Sequence, residues 1–397
     1  MSNNTKNKVV PKLRFTEFEN AEEWKEEKLG NLFSERQEAG FIDLPLLSLT
    51  DKDGIIPQEN TNRKNNSSTD KSKYLRVCPG DVAYNTMRMW EGRSAYVHIE
   101  GLVSPAYTVC KPNKDSDGLF FFYYFKTNQL IQQFQKYSQG LVKDTLNLKY
   151  EAFSQILVST PKPAEQQKIA DCLSSLDELI TAQTQKLQAL KAHKKGLMQQ
   201  LFPAESETVP ELRFEEFKDS SEWEIKALGD IAKNLDSRRI PITESDREKG
   251  NIPYYGASGI IDYVKEFIFD EELLCISEDG ANLVARTYPI AFSISGKTWV
   301  NNHAHVLKFN NSCTQIIVEN YLNAINLEDF LTGMAQPKLN RGKLDIIPIP
   351  LPKLAEQQKI AECLSSLDEQ ISAQKEKLEA LKTHKKGLMQ ALFPSAL

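Results

Sequence analysis

"AEQQKIADCLSSLDELITAQTQKLQALKAHKKGLMQQLFP", residues 164–203, returns as "AEQQKIAECLSSLDEQISAQKEKLEALKTHKKGLMQALFP", residues 355–394, with 32 of 40 positions identical. Alternating steps of four and three from Ile169 pass through Leu173, Leu176, Ile180, Gln183, Leu187, Leu190, Lys194, Leu197 and Leu201, eight of the ten being apolar. The same walk from Ile360 keeps both polar interruptions, at Gln374 and Lys385. This spacing predicts a coiled-coil seam of about five heptads. In parallel register Lys194 would face Lys385 inside the seam, so the two helices are expected to run antiparallel. That arrangement brings Gln183 near Gln374 at the midpoint, where amides can bond one another, and leaves the head of Lys194 free to reach solvent. These four residues are the expected register positions. A helix of this length is a rod of roughly 54 Å at 1.5 Å per residue, a ruler expected to hold a body at either end about a pseudo-twofold axis.

The repetition reaches beyond the helix. "VPKLRFTEF", Trp24 and Leu29-Gly30 come back as "VPELRFEEF", Trp223 and Leu228-Gly229. Near the end of each unit, Gly140 with Leu146-Asn147 is matched to Gly333 with Leu339-Asn340. Between these landmarks the two bodies have diverged. Short β-rich runs such as "GDVAYN", "RSAYVHI", "LLCIS" and "YPIAFSI" are broken by Gly, Asp and Asn turns. Longer apolar-periodic runs, "GLFFFYYFKTNQLIQQFQ" and "IIVENYLNAINLEDFL", suit helices. The expected fold is mixed α/β, of the α+β kind: two globular domains joined by two long helices in an antiparallel coiled coil. The expected division is 1–160 and 204–351 for the globular domains, with 161–203 and 352–397 for the helical regions.

Composition narrows the function. The amino-terminal decapeptide is polar, and the longest apolar run, "LFFFYYF", is too short to span a bilayer. The expectation is a cytoplasmic protein without membrane contact. Six cysteines occur without a C-x-x-C pair, so neither a disulfide framework nor a zinc site is signalled. A formal charge of −5 argues against nonspecific coating of nucleic acid, which grows with the phosphates neutralised. Any DNA contact is therefore local, and "NRKNNSSTDKSKYLR", residues 62–76, is one basic candidate.

Several stretches imitate catalytic motifs. "AFSISGKT" (291–298) has the Gly-Lys-Thr of a phosphate loop, but its interior alternates like a strand and no helical pattern follows. "SPAY" at Ser104 is like the Asn/Asp-Pro-Pro-aromatic loop of amino-methyltransferases without the second proline, and no glycine-rich loop accompanies it. His303 and His305 with Glu278 and Asp279 could be drawn as a metal site, on weak grounds. No nucleophile stands at a fixed spacing from a base. No catalytic residue and no metal ligand is expected in this chain.

Together the "AEQQKIA…HKKGLMQ" copies, the "P-x-LRF-x-EF…W…LG" segments, and the body sequences "YYGASGIIDYV", "ISEDGAN", "SGKTWVNNHAHVL" and "GDVAYNTMR…GLVSPAYTV" closely resemble the specificity (S) subunits of type I restriction-modification systems. The resemblance covers nearly the whole chain. It implies a non-catalytic subunit in which two target-recognition domains each read half of an asymmetric bipartite site in double-stranded DNA. It further implies two modification (methyltransferase) subunits carrying S-adenosylmethionine, and restriction subunits using ATP and Mg for translocation and cleavage, with no cofactor on this chain. Base readers vary with the target and are chosen here by side-chain chemistry and place. In the first body the candidates are Arg63, Lys64, Asn65, Asn85, Arg88 and Lys143. In the second they are Tyr254, Tyr255, Ser258, Lys297, Asn301, Asn302, His303, Lys338 and Arg341. The outer faces of the helices, with "AHKKGLMQQ" and "THKKGLMQA" nearly verbatim, suit two identical partners.

Overall fold

The computed structural model describes residues 10–50, 54–61, 68–204, 207–333 and 336–394. Two helices of 39 residues each, the central helix Pro163–Leu201 and the distal helix Leu354–Leu392, account for the repeated stretches. A proline at the first position of the central helix lacks only a backbone donor that the first turn does not use. The chain divides into two compact units, residues 1–183 with 377–397 and residues 184–376. Each unit thus holds the start of one copy and the end of the other.

In the first unit a four-stranded antiparallel sheet has the order Phe33–Glu35, Tyr107–Pro112, Val82–Asn85, Ser94–Tyr96. Helices Gly118–Tyr124 and Asn128–Tyr137 pack beside it. The apolar run read as helical begins where the Asp117 carboxylate accepts the Phe120 amide at 2.7 Å, a side-chain cap for an otherwise orphaned donor. Its Phe120, Phe121, Tyr124 and Phe125 are buried with Trp24, Phe33, Phe134 and Phe153. Ile169 and Leu173 from the central helix and Leu392 and Phe393 from the end of the distal helix complete this core. The Tyr124 and Phe393 rings stack with centroids 4.9 Å apart.

The second unit repeats that sheet as Ala232–Asn234, Ala304–Phe309, Leu273–Ser277, Ala291–Ile294. It adds a second sheet, Gly259–Val264, Lys249–Gly256, Lys297–Val300, Phe269–Asp270, whose inner pair is parallel. Leu201 and Phe202 share its main core with Ile360 and Leu364. In both units, therefore, the start of one helix copy meets the end of the other, which is antiparallel pairing.

The repeated leading segments have a specific role. Arg14 donates to both oxygens of Glu165 (2.7 and 2.6 Å) and to the carbonyls of Ala21 and Glu22, while Trp24 Nε1 adds a third bond to Glu165 at 3.3 Å. Arg213, Glu356 and Trp223 repeat the arrangement at 2.7, 2.7 and 3.4 Å. Both carboxylates are 2% exposed. At such a site a fork of paired donors satisfies a charge that could not otherwise be buried. The following glutamine is also buried: Gln166 bonds the carbonyls of Asp115 and Pro161, and Gln357 the carbonyl of Pro352. The "LRF…W" and "AEQQ" motifs are two halves of one clamp fixing a helix to its body. A short antiparallel ribbon, Lys25–Lys28 with Leu157–Thr160 in one unit and Glu224–Ala227 with Pro348–Leu351 in the other, closes each body beside it.

The seam lysines correct one expectation. Lys194 does not extend freely into solvent; its amine bonds both Asp368 oxygens, at 2.6 and 2.7 Å. Lys385 pairs with Asp177, which also accepts from the Tyr123 hydroxyl at 2.7 Å. Each copy carries both the aspartate and the lysine, so antiparallel pairing satisfies both lysines at once.

Candidate nucleic-acid interface

In the second unit three loops meet at one end of the repeated sheet. The Glu278 amide donates to the His303 carbonyl (2.9 Å), the Leu339 amide to the Glu278 carbonyl (2.8 Å) and the Gly280 amide to the Pro337 carbonyl (3.1 Å). Thr332 and Lys338 close the third loop with a pair of 2.8 Å bonds. The turn at 256–259 joins them, because the Asn301 amide donates to the Tyr255 carbonyl at 3.0 Å and the Ser277 hydroxyl to that of Ala257.

Beneath the loops lies a buried polar network. His305, 1% exposed, places Nδ1 2.6 Å from Asp236 and Nε2 2.7 Å from the Leu339 carbonyl. Arg239 donates to Glu278 (2.7 Å) and to the carbonyl of Ala304 (2.8 Å). Asp236 also accepts from the Val306 amide at 2.9 Å. Burial alone would raise the Asp236 carboxyl; the hydrogen bond and charge of His305, helped by Val306 and Asn234, bring it below the usual range. Glu278 is lowered likewise, burial being outweighed by Arg239, His305 and Lys338. The network thus pins one loop through Glu278, one through the backbone around Ala304 and one through Leu339.

On this platform stand Asn302, His303, Lys338 and Arg341, all exposed, with exposed Ser258 in the adjoining turn and half-buried Tyr255 in the adjoining strand. His303 is 2.8 Å from Asp279, Lys338 is 3.3 Å from Glu278, and Arg341 is 64% exposed. The structure brings these six candidates together. It separates Lys297, which lies at the far end of its strand with its amine 4.7 Å from the centroid of the Phe267 ring. Asn301 is 5% exposed and accepts the His303 amide at 2.8 Å, which shapes the loop. Tyr254 is a correction. It is 1% exposed, its hydroxyl receives the Ile242 amide at 3.0 Å and its ring lies under Arg247, so it is a core residue closed to a base edge.

The imitated motifs resolve in the same unit. "SGK" is a turn between two sheets, with Gly296 at φ 67° linking strand Ala291–Ile294 of the repeated sheet to strand Lys297–Val300 of the second. His303 and His305 face different carboxylates, and among the described residues no three potential ligands converge as a metal site.

The first unit uses the same platform. The Thr86 amide donates to the Ala106 carbonyl (3.2 Å), the Leu148 amide to the Thr86 carbonyl (2.9 Å), and Gln139 pairs with Asn147 at 2.9 and 2.8 Å. Leu148, not Leu146, is therefore the partner of Leu339, and the first unit's third loop is longer: 140–146 against 333–337. Lys143 is exposed here, Arg88 is half-buried with its guanidinium 3.4 Å from Glu91, and the Asn85 side chain accepts the Met87 amide at 2.9 Å. Arg63, Lys64 and Asn65 lie outside the described residues. Arg76, in the same basic stretch, is held by Glu38 and Glu100 at 2.9 and 2.6 Å. Charge density alone pointed to this stretch, whereas the Asp236, Arg239, Glu278 and His305 network escaped the sequence because its members lie up to 69 residues apart.

A family model described as the type I restriction modification DNA specificity domain matches residues 21–192 and again 220–383. The chain belongs to this family. Each match takes in one body, its platform and much of the helix that follows. Among its relatives is a putative type I restriction enzyme specificity subunit, S.HindORF215P of Haemophilus influenzae, 38% identical over 153 residues, a stretch covering 38% of this chain and 39% of that one. The type I restriction enzyme MjaVIII specificity subunit of Methanocaldococcus jannaschii is 24% identical over 360 residues, 81% of this chain and 82% of its own. The crystal structure of a type I system S subunit from M. genitalium shares the fold, with a TM-score of 0.64 at 14% identity over 98% of this chain and all of that one. No described helix is long and apolar enough to cross a membrane.

Proposed function

We propose that this chain is the specificity subunit of a type I restriction-modification complex and performs no chemistry itself. Each unit reads one half of an asymmetric bipartite target in double-stranded DNA. One observation carries this reading: the same three-loop platform, closed by the same backbone hydrogen bonds, is present twice under unrelated side chains. A protein using one scaffold to read two sequences needs that arrangement, because the scaffold fixes position while exposed side chains specify bases. Asn85, Arg88 and Lys143 are the readers assigned to the first half, with Arg63, Lys64 and Asn65 beside them in sequence. Tyr255, Ser258, Asn302, His303, Lys338 and Arg341 are assigned to the second.

The helices set the distance between half-sites, with Gln183, Gln374 and the two lysine pairs holding their register. Their near-identical outer faces dock two modification subunits, which carry S-adenosylmethionine and methylate adenine; restriction subunits with ATP and Mg complete the complex in the cytoplasm. With a net charge of −5, the chain leaves most phosphate contacts to its partners. The test is to map methylated adenines in the host genome before and after exchanging the loops 277–282, 301–303 and 332–341 for those of another family member. One half of the methylated sequence should change and the other persist. An unchanged pattern, or the loss of both halves in a complex that still assembles, overturns the reading.

A further inference from the structure

The longer third loop of the first unit ends in an apolar apex. Leu141 is 101% exposed and Val142 61% exposed, so neither side chain helps to hold the unit together. The apex is nevertheless firmly built. Gln139 and Asn147 close its base with two bonds, of 2.9 and 2.8 Å. Above them the Thr145 amide donates to the Val142 carbonyl (2.9 Å), and the Thr145 hydroxyl lies 3.3 Å from the Val142 amide and 3.0 Å from its carbonyl. At Gly140, φ 149°, an added Cβ would lie 2.5 Å from the Thr145 carbonyl, so the tight closure requires glycine. A loop held by these three backbone bonds and one side chain thus keeps a leucine entirely in water.

Exposed Lys143 belongs to the apex loop and exposed Lys149 follows its base by two residues in sequence, and the Leu148 amide ties the loop to that of Asn85 and Arg88. Cations on both flanks suit phosphates. A leucine side chain has no polar atom with which to read donors and acceptors. On the floor of the major groove the feature that matches it is the thymine 5-methyl group.

Resting on the proposed function, we infer that Leu141, supported by Val142, reads a thymine methyl group in the half-site of the first unit. The apex is a specificity determinant acting by apolar contact, in a loop whose counterpart in the second unit presents Lys338. A short, rigid projection suits this better than a wedge between base pairs, since methyl contact needs no deformation of the duplex.

The experiment uses the complex with its modification subunits and a synthetic duplex carrying the methylated target mapped in the host genome. Each thymine is replaced in turn by deoxyuridine, which lacks only the methyl group, and affinity is read by fluorescence anisotropy. The wild-type complex must first prefer the target over a scrambled duplex; failure there sinks the proposed function and not the apex alone. At one thymine the replacement should then weaken binding about fourfold, the equivalent of one buried methyl group. Leu141→Ser should weaken binding to the thymine duplex and abolish that penalty, leaving the two duplexes equal. Lys143→Ala should keep the penalty and reduce the salt dependence.

The inference is overturned if Leu141→Ser binds like wild type, or if it retains the full deoxyuridine penalty. It is overturned too if the half-site contains no thymine on either strand. Loss of assembly without DNA, seen by size-exclusion chromatography, would make the apex a protein contact. Rescue of the variant by a mismatch, with no deoxyuridine effect in wild type, would make it a wedge.

Discussion

Glu165 and Glu356 show how much depends on one buried carboxylate. Each receives an arginine fork and an indole N–H inside its unit. Removing the carboxylate strands a buried guanidinium, which in comparable pairs costs about 3–5 kcal/mol. Glu165→Ala should destabilise the first unit by that amount in urea unfolding, and Glu356→Ala the second; a change below about 1 kcal/mol would show that water replaces the carboxylate at little cost. Asp236 gives a prediction in pH. Its folded carboxyl lies below the free value of about 3.9, so between the two values the unfolded chain binds more protons. Its contribution to stability is complete above about pH 4 and drains away as pH falls through the folded value. The protection of the Val306 amide against hydrogen exchange, relative to its intrinsic rate at each pH, should therefore fall over that range, and Asp236→Asn should make the dependence shallower while lowering protection at neutral pH. The two tyrosines at 254 and 255 mark the limit of reading at this scale. Strand alternation implies that one faces inward, but a register shift between them decides which, and that depends on the partner strand.

The helices were the most legible element because their period is local: a seam repeating every three or four residues predicts a surface without knowledge of the partner. Antiparallel direction followed from a single steric and electrostatic conflict at Lys194 and Lys385. What the seam could not supply was the partner of each lysine, since Asp177 and Asp368 lie off the apolar walk and become relevant only once the other copy is in place. The two pairs make the arrangement testable. Asp177→Lys sets like charges together with Lys385 in the first unit, and adding Lys385→Asp should restore the attraction. For a pair whose acid is 43% exposed the coupling recovered should be about 0.5–1 kcal/mol, measured as a double-mutant cycle in thermal melts at low salt and shrinking at high salt. The platform loops behaved oppositely. Their proposed readers were chosen by residue chemistry, whereas the strands that gather them were visible only as short β-rich runs. The two-residue difference between the third loops was hidden because "LN" occurs at 146–147 and 339–340 in positions that are not equivalent.

For the whole molecule the proposal is that one duplicated scaffold separates what is read from how far apart it is read. The bodies then diverge freely while the clamps and seam stay nearly constant, which is the pattern of the sequence. The distance can be altered without touching either platform. Adding one heptad to each helix, between Gln183 and Thr184 and between Gln374 and Lys375, keeps the a/d walk in phase and both lysine pairs intact. Seven residues lengthen a helix by about 10.5 Å, close to three base pairs of B-DNA. Methylome mapping of a strain carrying the lengthened chain should show both half-site sequences preserved and the unread gap between them widened by about three base pairs. Adding four residues instead breaks the phase of the seam and should abolish methylation without creating a new gap. An unchanged gap after the heptad insertion, in a complex that still methylates, would mean that the partners hold the two units at their distance and that the paired helices do not.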